Sequence, residues 1–354
     1  MTRIDRLRKK LPEDFEAALV QNDSNRAYLA NFSSSAGTIV ITPKHAWLLV
    51  DFRYFEMAKA RAEGVEVLLV SDSQRTIGEL LDGESVTRVM IESETSLGTL
   101  ASLKKSLKGR KFQCDSVLSN AIAELRMIKD EGEIELIKAA QAITDAAFSH
   151  ILGYIKIGVS ERDVAAELEY FMRKNGADGM AFGTICVSGK KTSLPHGKPD
   201  ETKIVRGALL TMDFGARKGG YCSDMTRTVA VGEAGEEERK IYNIVLRAHL
   251  ESMAAAREGV LGCELDKIAR DIIYGEGYEG CFGHGLGHSL GLDIHEPPRA
   301  NTSGNTALKS GMMMTIEPGI YLEGRFGVRI ENMIVIRKDG FENLTASPRE
   351  LITL

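Results

Sequence analysis

At 354 residues the chain is too long for one small core and implies two domains. Its composition is ordinary for a globular protein, and a net charge of -5 removes the electrostatic reason to expect nucleic acid or an anionic membrane as partner. No apolar run approaches the roughly eighteen residues of a membrane span; the charged N-terminus lacks a signal-peptide core, and five cysteines without C-x-x-C spacing point to reduced thiols, so a cytoplasmic protein is expected.

Residues 3–20 read as a helix leading into a strand, interrupted at Pro12. Runs at 36–42 and 46–51 form a hairpin across Pro43-Lys44-His45, followed by a short helix at 55–63 and a strand at 65–70. After a polar connection come a strand at 88–91 and a helix at 97–107 that ends at Lys108-Gly109. Alternating elements without clustered metal ligands imply an α/β domain that supports or confers specificity. From about Glu124 the period turns helical, at 125–128 and then at 133–155, where Ile134, Ile137, Ala140, Ile143, Ala147 and Ile151 share one stripe. Ser160-x-x-Asp163 opens the next helix as a near capping box, and Asn175-Gly176 ends it. β-like runs and an acidic hairpin follow, then helices at 236–257 and 263–274 and the stretch GCFGHGLGHSLGLDIHEPPR. The boundary is expected near 115–125, giving domains 1–120 and 121–354.

The acidic hairpin runs out through 208–212 and back through 226–231, with a tip at Lys218-Gly219-Gly220. With the tip centred between Lys218 and Gly219, Asp213 stands opposite Asp224, where Cβ atoms lie about 4.5–5.5 Å apart and like charges destabilise. Such a pair needs a counter-charge, a shared proton or divergent side chains, and carboxylates suit Mg, Mn or Ca. Taken alone, the hairpin reads first as a solvated turn with two surface aspartates. The pattern recurs, however. Thr315-Ile316-Glu317-Pro318-Gly319 repeats the Thr-x-acid-x-Gly of Thr211-Met212-Asp213-Phe214-Gly215, and a hairpin centred on Gly324 sets Glu317 opposite Glu331. Upstream, Gly158-Val159, Gly176 and Gly179 return at a constant offset as Gly259-Val260, Gly277 and Gly280. An internal duplication accounts for this, each half supplying two helices and an acid-bearing hairpin. Four carboxylates from two halves carry the charge that two divalent cations neutralise.

In His284-Gly285-Leu286-Gly287-His288 the glycines disfavour a helix. An extended strand sets the two imidazoles roughly 13 Å apart, too far to share one ion. One is then a candidate ligand and the other a candidate substrate group, with His295 close by in sequence. His196 is a weaker candidate alone. Arg329 shares a strand face with Glu331 and pairs with the acids or with substrate, while Arg299 is a loop arginine or a bidentate grip on a substrate carboxylate.

Together, Asp213, Asp224, His288, Glu317-Pro318-Gly319 and Glu331, with His196 and His295-Glu296-Pro297-Pro298-Arg299, resemble the pita-bread metallopeptidases. The match is to their proline-specific branch, Xaa-Pro dipeptidase (prolidase) and aminopeptidase P. Asn31-Phe32-Ser33 and 49–54 are similar to its N-terminal domain, and 125–130 to the start of its catalytic domain. The resemblance implies an α+β pita-bread catalytic domain behind a smaller α/β domain, and two divalent ions, Mn first with Co or Zn as alternatives. Asp213 and Asp224 would hold one ion; Asp224, His288, Glu317 and Glu331 would complete the pair, with Asp224 and Glu331 shared. It further implies that Glu317 takes a proton during hydrolysis. His196, His284 and His295 would line the substrate site, the latter two stabilising the oxyanion, and Arg299, Tyr321 and Arg329 would join them in binding. The expected substrate is a small peptide with proline second, most simply a dipeptide, and the expected assembly a homodimer. The alternatives are an aminopeptidase P acting on longer peptides and, more remotely, an inactive binding module of the same fold. Two stretches depart from the branch's usual pattern: Gly189-Lys190-Lys191-Thr192-Ser193 is more basic, and Ala30-Asn31 replaces Thr-Gly.

Overall fold

The computed structural model describes residues 1–354 and divides into two compact units, Met1–Arg126 and Met127–Leu354. The expected boundary at 120/121 falls inside the last helix of the first unit. No helix is long and apolar enough to cross a membrane.

The first unit runs α1 (Arg3–Arg8), β1 (Ala17–Val20), α2 (Asp23–Ala30), β2 (Thr38–Ile41), β3 (Ala46–Val50), α3 (Phe52–Arg61), β4 (Glu66–Leu69), α4 (Ser73–Gly83), β5 (Arg88–Ile91), α5 (Leu97–Ser106), β6 (Lys111–Gln113) and α6 (Ser116–Met127). Its six strands lie in the order β4-β3-β2-β1-β5-β6, with β1 antiparallel to β2 and parallel to β5. β1 and β2 are buried at every residue, as central strands covered on both faces must be, which is why they read as apolar runs rather than alternating ones. α2 and α4 went unread in the sequence for a physical reason. α4 buries only Ile77 and Leu81, a single i,i+4 pair, and α2 buries polar Asn25 and Arg26 among its apolar residues. α2 ends on Asn31 in the left-handed conformation, φ 50°. Asparagine tolerates that conformation where most residues do not, so the Ala30-Asn31 departure is compatible with the backbone it occupies.

The second unit opens with α7 (Glu131–Tyr154), started by an Asp130/Glu133 capping box, and α8 (Glu161–Lys174), started by Ser160/Asp163. Then come β7 (Gly179–Met180), β8 (Ile185–Ser188), a 3-10 turn at Gly189–Ser193, β9 (Ala208–Phe214), β10 (Ala216–Lys218), β11 (Tyr221–Cys222) and β12 (Met225–Val231). The second half supplies α9 (Glu236–Ala255), α10 (Gly262–Gly275), β13 (Gly287–Ser289), β14 (Glu296–Ala300), β15 (Met313–Ile316), β16 (Gly319–Leu322), β17 (Phe326–Arg329), β18 (Asn332–Arg337) and β19 (Gly340–Asn343).

The duplication is visible in the backbone. Gly158 and Gly259 both enter a helix region at positive φ, 91° and 89°, and Gly176 and Gly277 leave one at 95° and 89°. Gly158 N–H bonds the Ile204 carbonyl just as Gly259 N–H bonds that of Leu308, and Ile204 and Leu308 return bonds to Val159 and Val260. Each half has its own core. Phe148, Ile151, Val164 and Leu168 of the first helix pair pack on Leu210, Met212 and Val229. Ile241, Val245, Leu265 and Ala269 of the second pack on Met314, Ile316, Ile334 and Ile336.

The two hairpins differ from expectation in one respect. The second has the predicted register: Ile316 pairs with Asn332 and Gly319 with Arg329, so Glu317 and Glu331 face each other between those pairs. The first turns one residue later than predicted, at Gly219-Gly220, both at positive φ as a tight two-residue hairpin turn requires. Lys218 consequently pairs with Tyr221, and Asp213 pairs with Thr226 rather than with Asp224. Asp224 lies two residues along from that partner, a diagonal neighbour still within side-chain reach.

Candidate metal centre and substrate cleft

Asp213 sits near the end of β9, Asp224 just before β12, His288 in the middle of β13, Glu317 between β15 and β16, and Glu331 between β17 and β18. A backbone bond joins the halves at this point, Glu331 N–H donating to the Thr226 carbonyl at 3.1 Å, and within the second half Glu317 N–H donates to the Leu286 carbonyl at 2.8 Å. The glycines around His288 let strands approach closely. A Cβ on Gly287 would fall 1.9 Å from the Thr315 carbonyl oxygen, so only glycine fits against β15.

All five side chains reach one cavity of about 800 Å³. Ligand atoms of Asp224, His288 and Glu331 lie within 4.8 Å of one another, and His288 Nε2 is 3.3 Å from Glu317 Oε1 and 3.6 Å from Asp224 Oδ2. Arg329 Nη2 donates to Asp213 Oδ2 at 2.7 Å. Burial pushes Asp224 and Glu331 well above the usual carboxylate range, and neighbouring carboxylates push the same way. Asp213 is also raised by burial, against the pull of Arg329. Burial would raise Glu317 too, but the hydrogen-bonding imidazole of His288 outweighs it and holds the group at about 2.

These residues fit divalent metal. Asp213 Oδ1 and Glu331 Oε1 are buried acceptors with no hydrogen-bond partner, a costly state that cation binding relieves. His288 Nδ1 lies 3.1 Å from the Ser289 carbonyl, which places a proton on Nδ1, so a cation that displaces any proton from Nε2 meets that nitrogen's lone pair among the carboxylates. Carboxylates with one imidazole suit Mn, Co or Zn.

Of the expected substrate residues, His196, His284, His295, Arg299 and Arg329 line the cavity, and Tyr321 is not among its lining. The Tyr321 hydroxyl accepts from Arg329 Nη1 at 2.8 Å and donates to His284 Nε2 at 2.8 Å. His284 Nδ1 meets the Gly285 carbonyl at 2.8 Å. Both nitrogens of His284 are therefore engaged, and it offers no free N–H to an oxyanion. Burial lowers the pKa of His284 and of His295, so both stay neutral at neutral pH. Two supporting residues went unassigned in the sequence. Thr315 Oγ1 accepts from His288 N–H at 3.0 Å and donates to Glu317 Oε1 at 3.1 Å, and Thr226 Oγ1 donates to Glu331 Oε2 at 2.7 Å. The signal for Thr315 was its place two residues before Glu317, on the same strand face.

Residues 135–338 match the metallopeptidase family M24, and residues 3–128 match the creatinase/prolidase N-terminal domain. Fold and site thus define a metallopeptidase. An Xaa-Pro dipeptidase of Pyrococcus horikoshii is 39% identical over 95% of this chain and 94% of its own length. Among solved structures, an Xaa-Pro dipeptidase from Bacillus anthracis superposes with a TM-score of 0.96 at 40% identity, covering 99% of both chains. An X-Pro aminopeptidase from Thermotoga maritima gives 0.92 at 37% identity, covering 99% of this chain and 100% of that one. The chain belongs to metallopeptidase family M24 and has its α+β pita-bread fold with a creatinase-like N-terminal domain.

Proposed function

We propose that the protein hydrolyses the bond between a first residue and proline, with Xaa-Pro dipeptides as its preferred substrates. The observation that carries this reading is the convergence of Asp213, Asp224, His288, Glu317 and Glu331, two of them with orphaned buried oxygens, on the floor of a cavity with Arg299 on its wall. Similarity to dipeptidases along nearly the whole chain supports it. Asp213 and Asp224 would hold one Mn-class ion, and Asp224, His288, Glu317 and Glu331 would complete the site of the second. When bound, the ions supply Lewis acidity and an activated water.

The chain's own residues do the rest. Glu317 Oε2, the oxygen that neither Thr315 nor His288 approaches, takes the proton of the attacking water. It returns that proton to the proline nitrogen as the C–N bond breaks. His295 donates to the developing oxyanion, while His284, with both nitrogens taken, acts through Tyr321 to hold Arg329 against Asp213. His196 packs against the proline ring, whose fixed φ and missing N–H suit a shaped pocket better than a backbone-reading one. Arg299 pairs with the carboxylate of residue two, which rewards a peptide that ends there. Five free cysteines favour a reducing compartment such as the cytoplasm, and the resemblance implies a homodimer.

A second reading, aminopeptidase P chemistry on longer peptides, is favoured by the Thermotoga maritima likeness. Hydrolysis of Ala-Pro against Ala-Pro-Ala by Mn-loaded protein separates the two. Strong dipeptide preference, with a raised KM for Arg299→Ala, is expected; preference for the tripeptide overturns the assignment of Arg299. Asp224→Ala should lose both metal and turnover, and full activity in that variant would sink the site.

A further inference from the structure

Beyond the five acidic and imidazole groups, the cavity reaches a charged side chain that the proposed chemistry leaves unused. Ile185 on β8 is the strand partner of Asp213, whereas Arg299 on β14 is the strand partner of His288. The cleft therefore has Arg299 beside His288 and Ile185 beside Asp213, and Phe182 and Glu169 line it too, Phe182 against Gly215 and Glu169 on α8, which packs on β8. Glu169 comes from α8, is half-buried, and makes no hydrogen bond or ion pair.

A carboxylate partly withdrawn from water and left without a partner is poised for a cationic ligand, whose charge offsets its desolvation. Half-buried Phe182 and Ile185 give the methylene stem of a long basic side chain an apolar surface to lie on. Lys198, the other charged side chain on this wall that no acid partners, is exposed, so its ammonium stays hydrated and opposes a second cation only weakly.

We propose that Glu169 is a specificity residue for the first position of the substrate, selecting lysine or arginine there. This rests on the Xaa-Pro reading, in which Arg299 holds the carboxylate of residue two and so directs residue one toward Asp213.

The test is kcat/KM of the Mn-loaded full chain for Lys-Pro, Ala-Pro and Glu-Pro. Lys-Pro should exceed Ala-Pro in the native protein. Glu169→Gln should lower the Lys-Pro to Ala-Pro ratio by roughly two- to fivefold, the upper part of the range of a partly exposed ion pair, and should do so through KM. Glu169→Lys should lower that ratio further and raise the Glu-Pro to Ala-Pro ratio. An unchanged ratio in Glu169→Gln overturns the proposal, including the case where both substrates suffer equally, which would put the carboxylate on the common α-ammonium. Failure of the native, metal-loaded protein to cut Ala-Pro at all would instead refute the Xaa-Pro reading, and this inference with it.

Discussion

At the residue scale, the site is set by what each ligand candidate's spare atoms are doing. His288 spends Nδ1 on a carbonyl, Glu331 spends Oε2 on Thr226, and Glu317 spends Oε1 on Thr315. What remains free points into the cavity. Thr315 matters most, because one hydroxyl fixes both the His288 backbone and the Glu317 carboxylate. Thr315→Val keeps the shape and removes both bonds. Groups that orient metal ligands in this way cost about 10–100-fold in metal affinity when lost. Calorimetric titration of the metal-free variant with Mn should show that loss, with circular dichroism unchanged; native affinity would mean that Thr315 serves only the fold.

At the element scale, the basic departure at Lys190-Lys191 acquires a structural role. Lys191 Nζ pairs with Glu161, a fully buried carboxylate in the first turn of α8, and reaches Asp200 Oδ2 at 2.9 Å and the Lys198 carbonyl at 3.2 Å. Glu161 in turn accepts from Ser188 N–H at 2.7 Å. The clasp thus brackets the 195–199 segment, which carries His196 along the cavity wall. Lys191→Met leaves a buried charge uncompensated, a loss of about 3 kcal/mol by the precedent of broken buried pairs, and should raise KM as the segment loosens. The double variant Glu161→Gln/Lys191→Met should recover most of the stability by thermal denaturation. If the single variant melts like the native protein, the clasp is not structural. Element-scale reading of the sequence succeeded where period and turn chemistry agreed, as in the long stripe of α7 and the Gly324-centred hairpin. It slipped at the first hairpin because Lys218-Gly219 and Gly219-Gly220 both make acceptable tips locally. Contacts beyond the turn choose between them: the Lys218 ammonium bonds the Gly176 carbonyl at 2.6 Å, and Gly219 N–H bonds Asp178 Oδ2 at 2.6 Å.

At the scale of the whole molecule, two units with separate cores carry unequal shares of function. The cavity with all five ligand candidates belongs to Met127–Leu354 alone. Stripping metal from the loaded protein with a chelator should therefore lower the thermal transition of this unit and leave that of Met1–Arg126 in place. Ligand at about 100 times its Kd stabilises by roughly 2.7 kcal/mol, which for a unit of this size means a shift on the order of 5–10 °C. Scanning calorimetry reads it directly, and a single transition that moves as one would show the two units to be energetically coupled.

The sequence by itself determined the chemistry of the site, because that chemistry is written in residue types and in a repeat. Thr-x-acid-x-Gly occurs twice, each time with a returning acid, and a glycine-spaced histidine pair cannot be helical. Those facts singled out Asp213, Asp224, Glu317 and Glu331 as candidates and one of His284 and His288 beside them, and the resemblance to the pita-bread metallopeptidases implied His288. Only the tertiary structure decided which atoms of these residues remain free, that Asp224 meets Asp213 diagonally, that Tyr321 and His284 brace Arg329, and that Glu169 faces the cleft unpaired. The physical reason is one of range. Propensity, period and turn chemistry act over a few residues, whereas the partners of Glu331, Arg329 and His284 lie far along the chain or in the other half of the repeat. The bonds between Glu331 and Thr226 and between Arg329 and Asp213 exist only after the two hairpins have packed together.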